Sequence, residues 1–214
     1  YPAMQGIPEL KKQASRFLEA FLGVEIAPEG CVPTVGSMQG SFAAFLMCSQ
    51  LDPAKNKILF IDPGFPVQRS QVRILGIPSE SFDIYDFRGE KLGPKIESYL
   101  SAGDVAAIVY SNPNNPAWVC LTKEELRTIG ELATKYDTVV IEDLAYLCME
   151  SRWGSPSNRP IRPPSPATRR TTSCWSRVRR YSATPDSGSP WRPSPKRSAA
   201  AIIRPCAGAT TSDG

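Results

Sequence analysis

Asp143 and Tyr146 place a carboxylate and a phenol three residues apart, directly after the apolar and β-branched run 138–141. Such a run is typical of a strand buried on both faces of a parallel α/β sheet, and ligands bind at the carboxyl ends of these strands. A carboxylate fixed there can keep a proton on a ring nitrogen and make that ring an electron sink. An isolated aspartate after a strand more often only caps the next helix, so a capping role for Asp143 is the alternative.

The segment Gly36-Ser37-Met38-Gln39 precedes an apolar, helix-like run and offers groups that bind an anion. Free backbone N–H groups and the dipole at a helix N-terminus attract phosphate, and the Ser37 hydroxyl adds a donor. Taken alone, this pattern is more often a plain N-cap serine. The segment therefore counts as a candidate phosphate site only together with the groups that follow.

An aromatic ring and three amides follow two further predicted strands. Phe65, in the turn 62–66, can stack on a flat ring, although an isolated aromatic at such a place is more often part of a core. We expect the side-chain amides of the turn 112–116, which belong to Asn112, Asn114 and Asn115, to be free to donate. With the carboxylate, the phenol and the phosphate site, these groups predict a phosphorylated aromatic cofactor that has a ring nitrogen and a ring hydroxyl.

The elements that must position these groups alternate between helices and strands. A capping box, Thr122-x-x-Glu125, begins one helix, and an apolar run predicts that the helix over 41–51 is buried on all sides. Further helices are predicted at 8–22 and 91–100. Strands are predicted at 57–61, 72–77, 81–84, 105–110 and 138–141. This alternation predicts an α/β fold with a mostly parallel sheet between helices.

The composition changes near position 150. Residues 1–150 carry 13 Lys and Arg against 19 Asp and Glu, whereas residues 151–214 carry 12 basic residues against two aspartates and hold 10 of the 21 prolines. The second range contains no Leu, Phe, Met, Glu or Gln, so it has little to bury. We expect 1–150 to be globular and 151–214 to be a basic, Pro/Ser/Arg-rich, unstructured tail.

The thiol and imidazole content argues against a metal site. The six cysteines show no paired short spacing and the chain has no histidine, so a zinc site would need scattered thiolates alone. No apolar run is long enough to span a membrane, and no signal peptide is recognisable. Reduced thiols and a cytoplasmic location are therefore the expectation.

These motifs, in their order and spacing, resemble the large domain of the class I/II aminotransferases, which are fold-type-I enzymes that use pyridoxal 5′-phosphate. The resemblance covers nearly all of residues 1–150, which it identifies as a partial cofactor-binding large domain with a three-layer, mostly parallel sheet. It implies transfer of an amino group from an amino acid to a 2-oxo acid, in a homodimer that needs no metal.

The resemblance also implies a role for each candidate side chain. Ser37, Met38 and Gln39 match the family's phosphate loop, and Tyr1 matches a tyrosine that reaches the phosphate of the neighbouring subunit. The cofactor ring is contacted by the remaining candidates: Phe65 stacks on it, Asp143 binds the pyridine nitrogen, and Asn115 and Tyr146 bind the ring hydroxyl. The chain departs from the family at Ala117-Trp118, where the family has Thr-Gly after Asn-Pro.

The lysine that the family uses for the Schiff base and for proton transfer is missing. After Lys135 the chain has only Lys196, in Ser194-Pro195-Lys196-Arg197, far from any predicted element. We therefore expect no catalytic residue in this chain and no transamination by it as written. A catalytically inactive cofactor-binding protein is the alternative.

Three explanations compete for residues 151–214. A basic tail can bind nucleic acid, and an irregular linker has no function of its own. We favour a third, which is a shifted reading frame of the family's own continuation. Shifted codons over 173–191 can encode Leu-Leu-Val-Ser-Gly-Ser-Lys-Val-Phe, a family lysine motif, with the lysine codon spanning Arg179 and Arg180, 36 positions past Asp143.

Overall fold

The computed structural model describes residues 6–22, 26–146, 172–175 and 201–203. It contains five α-helices in these ranges: α1 Pro8–Leu22, α2 Gly36–Leu51, α3 Pro66–Ile74, α4 Leu92–Leu100 and α5 Lys123–Lys135. The seven strands are β1 Cys31–Pro33, β2 Lys57–Asp62, β3 Ser79–Asp83, β4 Val105–Ser111, β5 Val139–Asp143, β6 Thr172–Trp175 and β7 Ala201–Ile203.

The central sheet has five parallel strands in the order β3-β2-β4-β5-β6. Its register pairs Ser111, the last residue of β4, with Asp143, the last residue of β5. All carboxyl ends therefore lie along one edge, as parallel pairing requires. A separate small sheet pairs β1 with β7 in antiparallel orientation. The predicted α/β fold with a mostly parallel sheet is confirmed.

Helices cover both faces of the sheet and give the three predicted layers. On one face, α2 and α3 supply Phe45 and Val72 to a core that also contains Phe60 and Ile141. On the other face, helices α4 and α5 pack with Ile108 and neighbouring strand residues in a second core. All seven residues of β4 are buried. The strand carries apolar side chains to both faces and so joins the two cores.

The capping box at the start of α5 is confirmed, and it belongs to a buried ion pair. The Thr122 hydroxyl accepts a hydrogen bond from the Glu125 N–H, and Glu125 accepts one from the Thr122 N–H at 2.8 Å. Arg88 donates to both Glu125 carboxylate oxygens, at 2.7 and 2.8 Å, and the Gly89 N–H adds a further bond at 2.8 Å. These bonds tie α5 to the segment before α4.

The strand predicted over 72–77 is wrong, because this part of the chain continues α3 and then turns. Pro66 begins the helix, and Gln68, Gln71 and Val72 form its buried face at helical spacing. The β-branched run after Gln71 favoured a strand by composition alone. Tertiary packing of the helical face overrides that local preference. The following strand, Ser79–Asp83, begins and ends slightly earlier than the predicted 81–84.

Helix α2 begins at Gly36 rather than at residue 41, and the prediction that it is buried on all sides is wrong. Its buried face consists of small or apolar residues: Gly40, Ser41, Ala44, Phe45 and Cys48. Phe42 and Leu46, on the other face, are each 38% exposed. An apolar run of this length predicts burial, but only the side that meets α3 and the sheet is covered here.

Two short strands lie within 151–214, a range that the sequence analysis expects to be unstructured. Strand β6 extends the central sheet beside β5, and β7 pairs with β1. No helix in the described ranges combines the length and apolarity needed to cross a membrane. The same ranges contain no group of three or more Cys, Asp or Glu side chains placed to hold a metal ion.

Candidate functional site

The carboxyl ends of β2, β4 and β5 bring most of the predicted side chains to one edge of the sheet. The loops after these strands are joined directly: the Asn114 amide donates to the Pro63 carbonyl at 2.5 Å, and the Asn112 N–H donates to the Asp143 carbonyl at 3.0 Å. We call this place the strand-edge site and define it by five residues: Ser37, Phe65, Asn115, Asp143 and Tyr146. Parallel strand order makes it the expected position for a ligand.

Asp143 is a buried carboxylate that has no cationic partner among the described residues. Its Oδ2 accepts a hydrogen bond from the Gln68 amide at 3.0 Å, and its Oδ1 accepts one from the Ala145 N–H at 3.0 Å. Burial raises the pKa of Asp143, the two hydrogen bonds lower it, and the net shift is upward. A buried carboxylate without a cation is costly, which marks it as a functional candidate.

Gln68 is the site residue that sequence reasoning missed. It is buried in the first turn of α3, three residues after Phe65, and its amide faces Asp143. A glutamine in a helix carries no distinguishing sequence signal. Only the packing of α3 against the edge of the sheet reveals that it holds the carboxylate.

Phe65 is the residue that precedes α3 at its N-terminus. Its side chain is half-buried, and its ring makes no ring–ring contact with another described aromatic residue. This arrangement keeps the stacking role open, while the core alternative receives no support from ring contacts.

In the turn after β4 two of the three asparagine side chains make hydrogen bonds, and the expectation that all three amides are free to donate is wrong for Asn114. The Asn112 Oδ1 accepts a bond from the Leu121 N–H at 3.1 Å, and the Asn114 amide donates to Pro63 and to the Ser111 hydroxyl. Both side chains therefore brace the turn. The Asn115 amide has no hydrogen-bond partner among the described residues, and it remains available as a donor.

The N-terminus of α2 has the form of an anion site, although part of it is used internally. Gly36 adopts φ 76°, and Val35, the capping position, supplies no side-chain hydrogen bond. The Gln39 side chain accepts a bond from the Val35 N–H at 2.6 Å, so its oxygen caps the helix. Ser37 is half-buried, and its hydroxyl makes no hydrogen bond to the rest of the described chain.

Helix α3 links this N-terminus to the strand-edge site. The Gln71 side-chain amide donates to the Met38 backbone carbonyl at 2.8 Å, and Gln71 Oε1 accepts from the Ser41 hydroxyl at 2.5 Å. Since Gln68 on the same helix holds Asp143, the two ends of the candidate site are tied through one helical turn. The Met38 side chain itself is exposed.

Tyr146 is half-buried and meets an aromatic residue from the turn after β4. Its ring centroid lies 5.5 Å from that of Trp118, with an interplanar angle of 68°. The N–H of Trp118 donates to the Asn114 carbonyl at 3.0 Å, so this contact joins the Asn115 turn to the segment after β5. Tyr1, the remaining predicted cofactor contact, lies outside the described residues, as does Lys196.

Comparison with known proteins gives a consistent family. The model of "Aminotransferase class I and II" matches residues 1–159. Over 162 residues the chain is 31% identical to glutamate-pyruvate aminotransferase AlaC of Escherichia coli K12, covering 73% of this chain and 38% of that protein. An aspartate aminotransferase of Pyrococcus horikoshii is 24% identical over 146 residues, with 68% of this chain and 37% of that protein covered. The chain thus spans well under half the length of these relatives.

Solved structures agree on the fold. Aspartate aminotransferase from Thermus thermophilus with maleate superposes with a TM-score of 0.69 at 22% identity, over 95% of this chain and 49% of that one. N-Succinyldiaminopimelate aminotransferase from Mycobacterium tuberculosis has a TM-score of 0.63 at 21% identity, covering 83% and 45%. At these identities the likeness concerns the architecture of the large domain.

Proposed function

Because this chain belongs to the class I and II aminotransferases, we propose that its strand-edge site binds pyridoxal 5′-phosphate and that its reaction class is amino-group transfer. The reaction runs between an amino acid and a 2-oxo acid. One observation carries the proposal: Asp143 is buried at the carboxyl end of β5, is held by Gln68 at 3.0 Å and has no cationic partner among the described residues. A protonated ring nitrogen supplies the missing positive charge.

The donor set around Asp143 fits this cofactor. An uncommitted amide at Asn115 and a phenol at Tyr146 suit a ring hydroxyl, and the half-buried ring of Phe65 suits a flat aromatic. Ser37 and the α2 N-terminus suit a dianionic phosphate, since helix N-termini attract anions through their free N–H groups and dipole. Each requirement of a phosphorylated hydroxypyridine has one counterpart among the described residues.

The chemistry divides between the cofactor and this chain. When bound, pyridoxal phosphate supplies an electron sink for the pair left on the substrate α-carbon. Asp143 holds the proton on the ring nitrogen, and Gln68 keeps the carboxylate in one orientation. Asn115 and Tyr146 hold the ring hydroxyl, while Phe65 covers one ring face and excludes water. Ser37 anchors the phosphate end.

We also propose that the chain as written does not complete this reaction, because the only lysine after Lys135 in the sequence is Lys196. Lys57 starts β2 at the opposite edge and pairs with Glu80 and Asp104 at 2.5 and 2.8 Å. Lys135 ends α5 and pairs with Glu97 at 2.6 Å. A catalytically inactive cofactor binder is thus the form of the protein that this sequence encodes. Turnover of amino acids by purified chain with pyridoxal phosphate would contradict this.

A shifted reading frame after about residue 150 remains our explanation for the missing lysine. Strand β6 pairs Trp175 with Asp143 in parallel register. The shifted codons would place a lysine at the junction of Arg179 and Arg180, a few residues beyond that point. Sequencing the coding DNA through codons 148–156 tests this directly. An unbroken frame there, confirmed by the mass of the protein, would refute it.

Two further properties belong to the same proposal. Family membership supports a homodimer in which Tyr1 reaches the partner's phosphate site, and a cytoplasmic location. Light scattering of the frame-corrected protein, with and without Tyr1→Phe, tests the first. A dimer whose cofactor affinity is unchanged by Tyr1→Phe would remove Tyr1 from the site.

The binding experiment should avoid labelling of surface lysines. Pyridoxamine 5′-phosphate has no aldehyde, so it occupies the site without reacting with other amines. We expect saturable binding of this probe by fluorescence titration of the full chain, and loss of binding when Asp143 becomes Asn. Equal binding by both chains would remove Asp143 from the site and with it the main support for the proposal.

A further inference from the structure

Trp118 has a backbone conformation that a bulky residue rarely adopts. Its φ is 57°, in the left-handed region where glycine is favoured and large side chains are strained. The turn around it is closed on both sides, since the Trp118 N–H donates to the Asn114 carbonyl at 3.0 Å and the Asn114 N–H donates to the Val119 carbonyl at 2.8 Å. The turn therefore imposes this conformation on residue 118.

Core packing does not compensate for this strain. The Trp118 side chain is 48% exposed, so much of its apolar surface remains in water. Its one aromatic contact among the described residues is the edge-to-face contact with Tyr146, at 5.5 Å. Strained residues that persist without a packing role are concentrated at binding sites. Packing within the fold therefore does not explain why a large indole occupies a position that favours glycine, whereas contact with a ligand would.

The indole lies next to two residues of the strand-edge site. Trp118 lies three residues after Asn115, whose amide is uncommitted, and packs on the ring of Tyr146. These two residues are the proposed donors to the cofactor's ring hydroxyl. An aromatic side chain beside them would shield that hydroxyl from water and limit the motion of the phenol. A hydrogen bond strengthens when water is excluded from it.

We propose that Trp118 is a positioning residue of the strand-edge site, where it fixes the Tyr146 phenol and closes the ring-hydroxyl side of the cofactor. This inference rests on the proposed function, because it assigns Trp118 to the same site. Trp118 then contributes to cofactor affinity but not to the stability of the fold. Stability and affinity should therefore respond to its replacement in opposite ways.

Trp118→Gly separates the two effects. Glycine relieves the positive φ, so we expect a melting temperature equal to or higher than that of the parent chain. Loss of the aromatic contact should weaken binding of pyridoxamine 5′-phosphate by roughly 3- to 10-fold, the range of an aromatic pair. Trp118→Phe keeps an aromatic ring at the same φ, and we expect it to retain affinity within about 2-fold.

Fluorescence provides a readout that a purely structural role would not change. The chain has four tryptophans, and the difference between the emission of the parent chain and that of Trp118→Phe isolates Trp118. Pyridoxamine 5′-phosphate absorbs where tryptophan emits, so bound probe should quench most of this difference signal. Distant tryptophans should be quenched less.

The outcomes are distinguishable from those of the proposed function. If Trp118→Gly binds the probe as tightly as the parent, or loses melting temperature and affinity together, the inference about Trp118 is overturned. If Asp143→Asn abolishes binding while Trp118→Gly leaves it intact, only this inference fails. If Asp143→Asn also binds normally, the proposed site itself is wrong.

Discussion

Glu125 and Asp143 are both buried carboxylates, but their hydrogen-bond partners differ. Glu125, at the start of α5, receives two bonds from Arg88 and further bonds from the Gly89 and Thr122 N–H groups. Burial raises its pKa, but Arg88 and the backbone N–H groups outweigh burial, and the pKa is lowered. Asp143 has only neutral donors, and its pKa is raised.

Under the proposed function, the difference distinguishes a carboxylate that stabilises the fold from one that binds a ligand. Arg88 neutralises the Glu125 carboxylate within the protein, and this ion pair joins α5 to the segment before α4. Asp143 is oriented by Gln68 and Ala145 but left without a positive charge. The contrast implies that replacing each carboxylate by its amide should affect different properties, and four predictions follow from it.

The largest expected effect is on cofactor affinity in Asp143→Asn. Removing the charge that faces the ring nitrogen should weaken binding of pyridoxamine 5′-phosphate by about 100-fold, the scale of a hydrogen bond to a charged group. Stability without the cofactor should not fall, because an unpaired buried charge is removed. Fluorescence titration and thermal melts measure the two quantities. A destabilised variant with unchanged affinity would reverse the comparison.

Glu125→Gln should show the opposite result. Its loss leaves the Arg88 guanidinium without a carboxylate, and we expect the free energy of unfolding to fall by about 2 kcal/mol. This value is below the usual cost of breaking a buried pair, because the Arg88 side chain is 35% exposed. Urea denaturation measures the change. Cofactor affinity, measured below the denaturation midpoint, should match that of the parent chain.

Gln68→Leu sharpens the comparison at the site itself. Without the amide, Asp143 loses a neutral donor but keeps its charge, so affinity for the probe should fall by roughly 5-fold, the scale of one hydrogen bond. Gln13→Leu is the matched control, since Gln13 bonds only to Glu9 on the exposed surface of α1. Equal affinities in the two variants would show that Gln68 does not orient Asp143.

The smallest expected effect is on the pH dependence of stability. The contributions of Glu125 and Asp143 to the free energy of unfolding change with pH in opposite directions. Glu125 has a lowered folded-state pKa, so its stabilisation is present above about pH 4.3 and is lost as the pH falls through the folded-state value. Asp143 has a raised pKa, so its contribution is present below about pH 3.9 and is lost as the pH rises through the folded-state value.

Thermal melts of the chain without cofactor between about pH 3 and pH 7 test these signs. Glu125→Gln should flatten the loss of stability on acidification. Asp143→Asn removes a group whose contribution to stability falls as the pH rises through its folded-state pKa. The stability of this variant should therefore rise more steeply toward neutral pH than that of the parent chain. Parallel curves for both variants would mean that the two carboxylates do not differ as described.

Local sequence was sufficient for several features of the fold and the site. Apolar runs of strand length predicted β2, β4 and β5, and the Thr122–Glu125 spacing predicted the start of α5. Parallel strands bring their carboxyl ends to one edge, so the sequence alone predicts that the groups after each strand lie together. These features depend on short-range periodicity and on a general rule of sheet geometry.

Other features depended on contacts between segments far apart in the chain. Residues 72–77 favour a strand by composition, yet Val72 is buried as part of a helix because α3 packs on α2 and the sheet. Among three asparagines in one turn, Asn112 and Asn114 have side-chain hydrogen bonds across the loop, whereas the Asn115 side chain has none with the described residues. No local pattern distinguishes them.

The sequence by itself determined the fold class, and it predicted the edge of the sheet for a ligand and Asp143 as the candidate carboxylate there. Tertiary structure decided that this carboxylate has no cationic partner among the described residues and that Gln68 holds it, and it gave Trp118 a φ of 57° beside Tyr146. The physical reason is that periodicity fixes which face of an element is buried. Hydrogen-bond partners and unpaired charges depend instead on which elements meet.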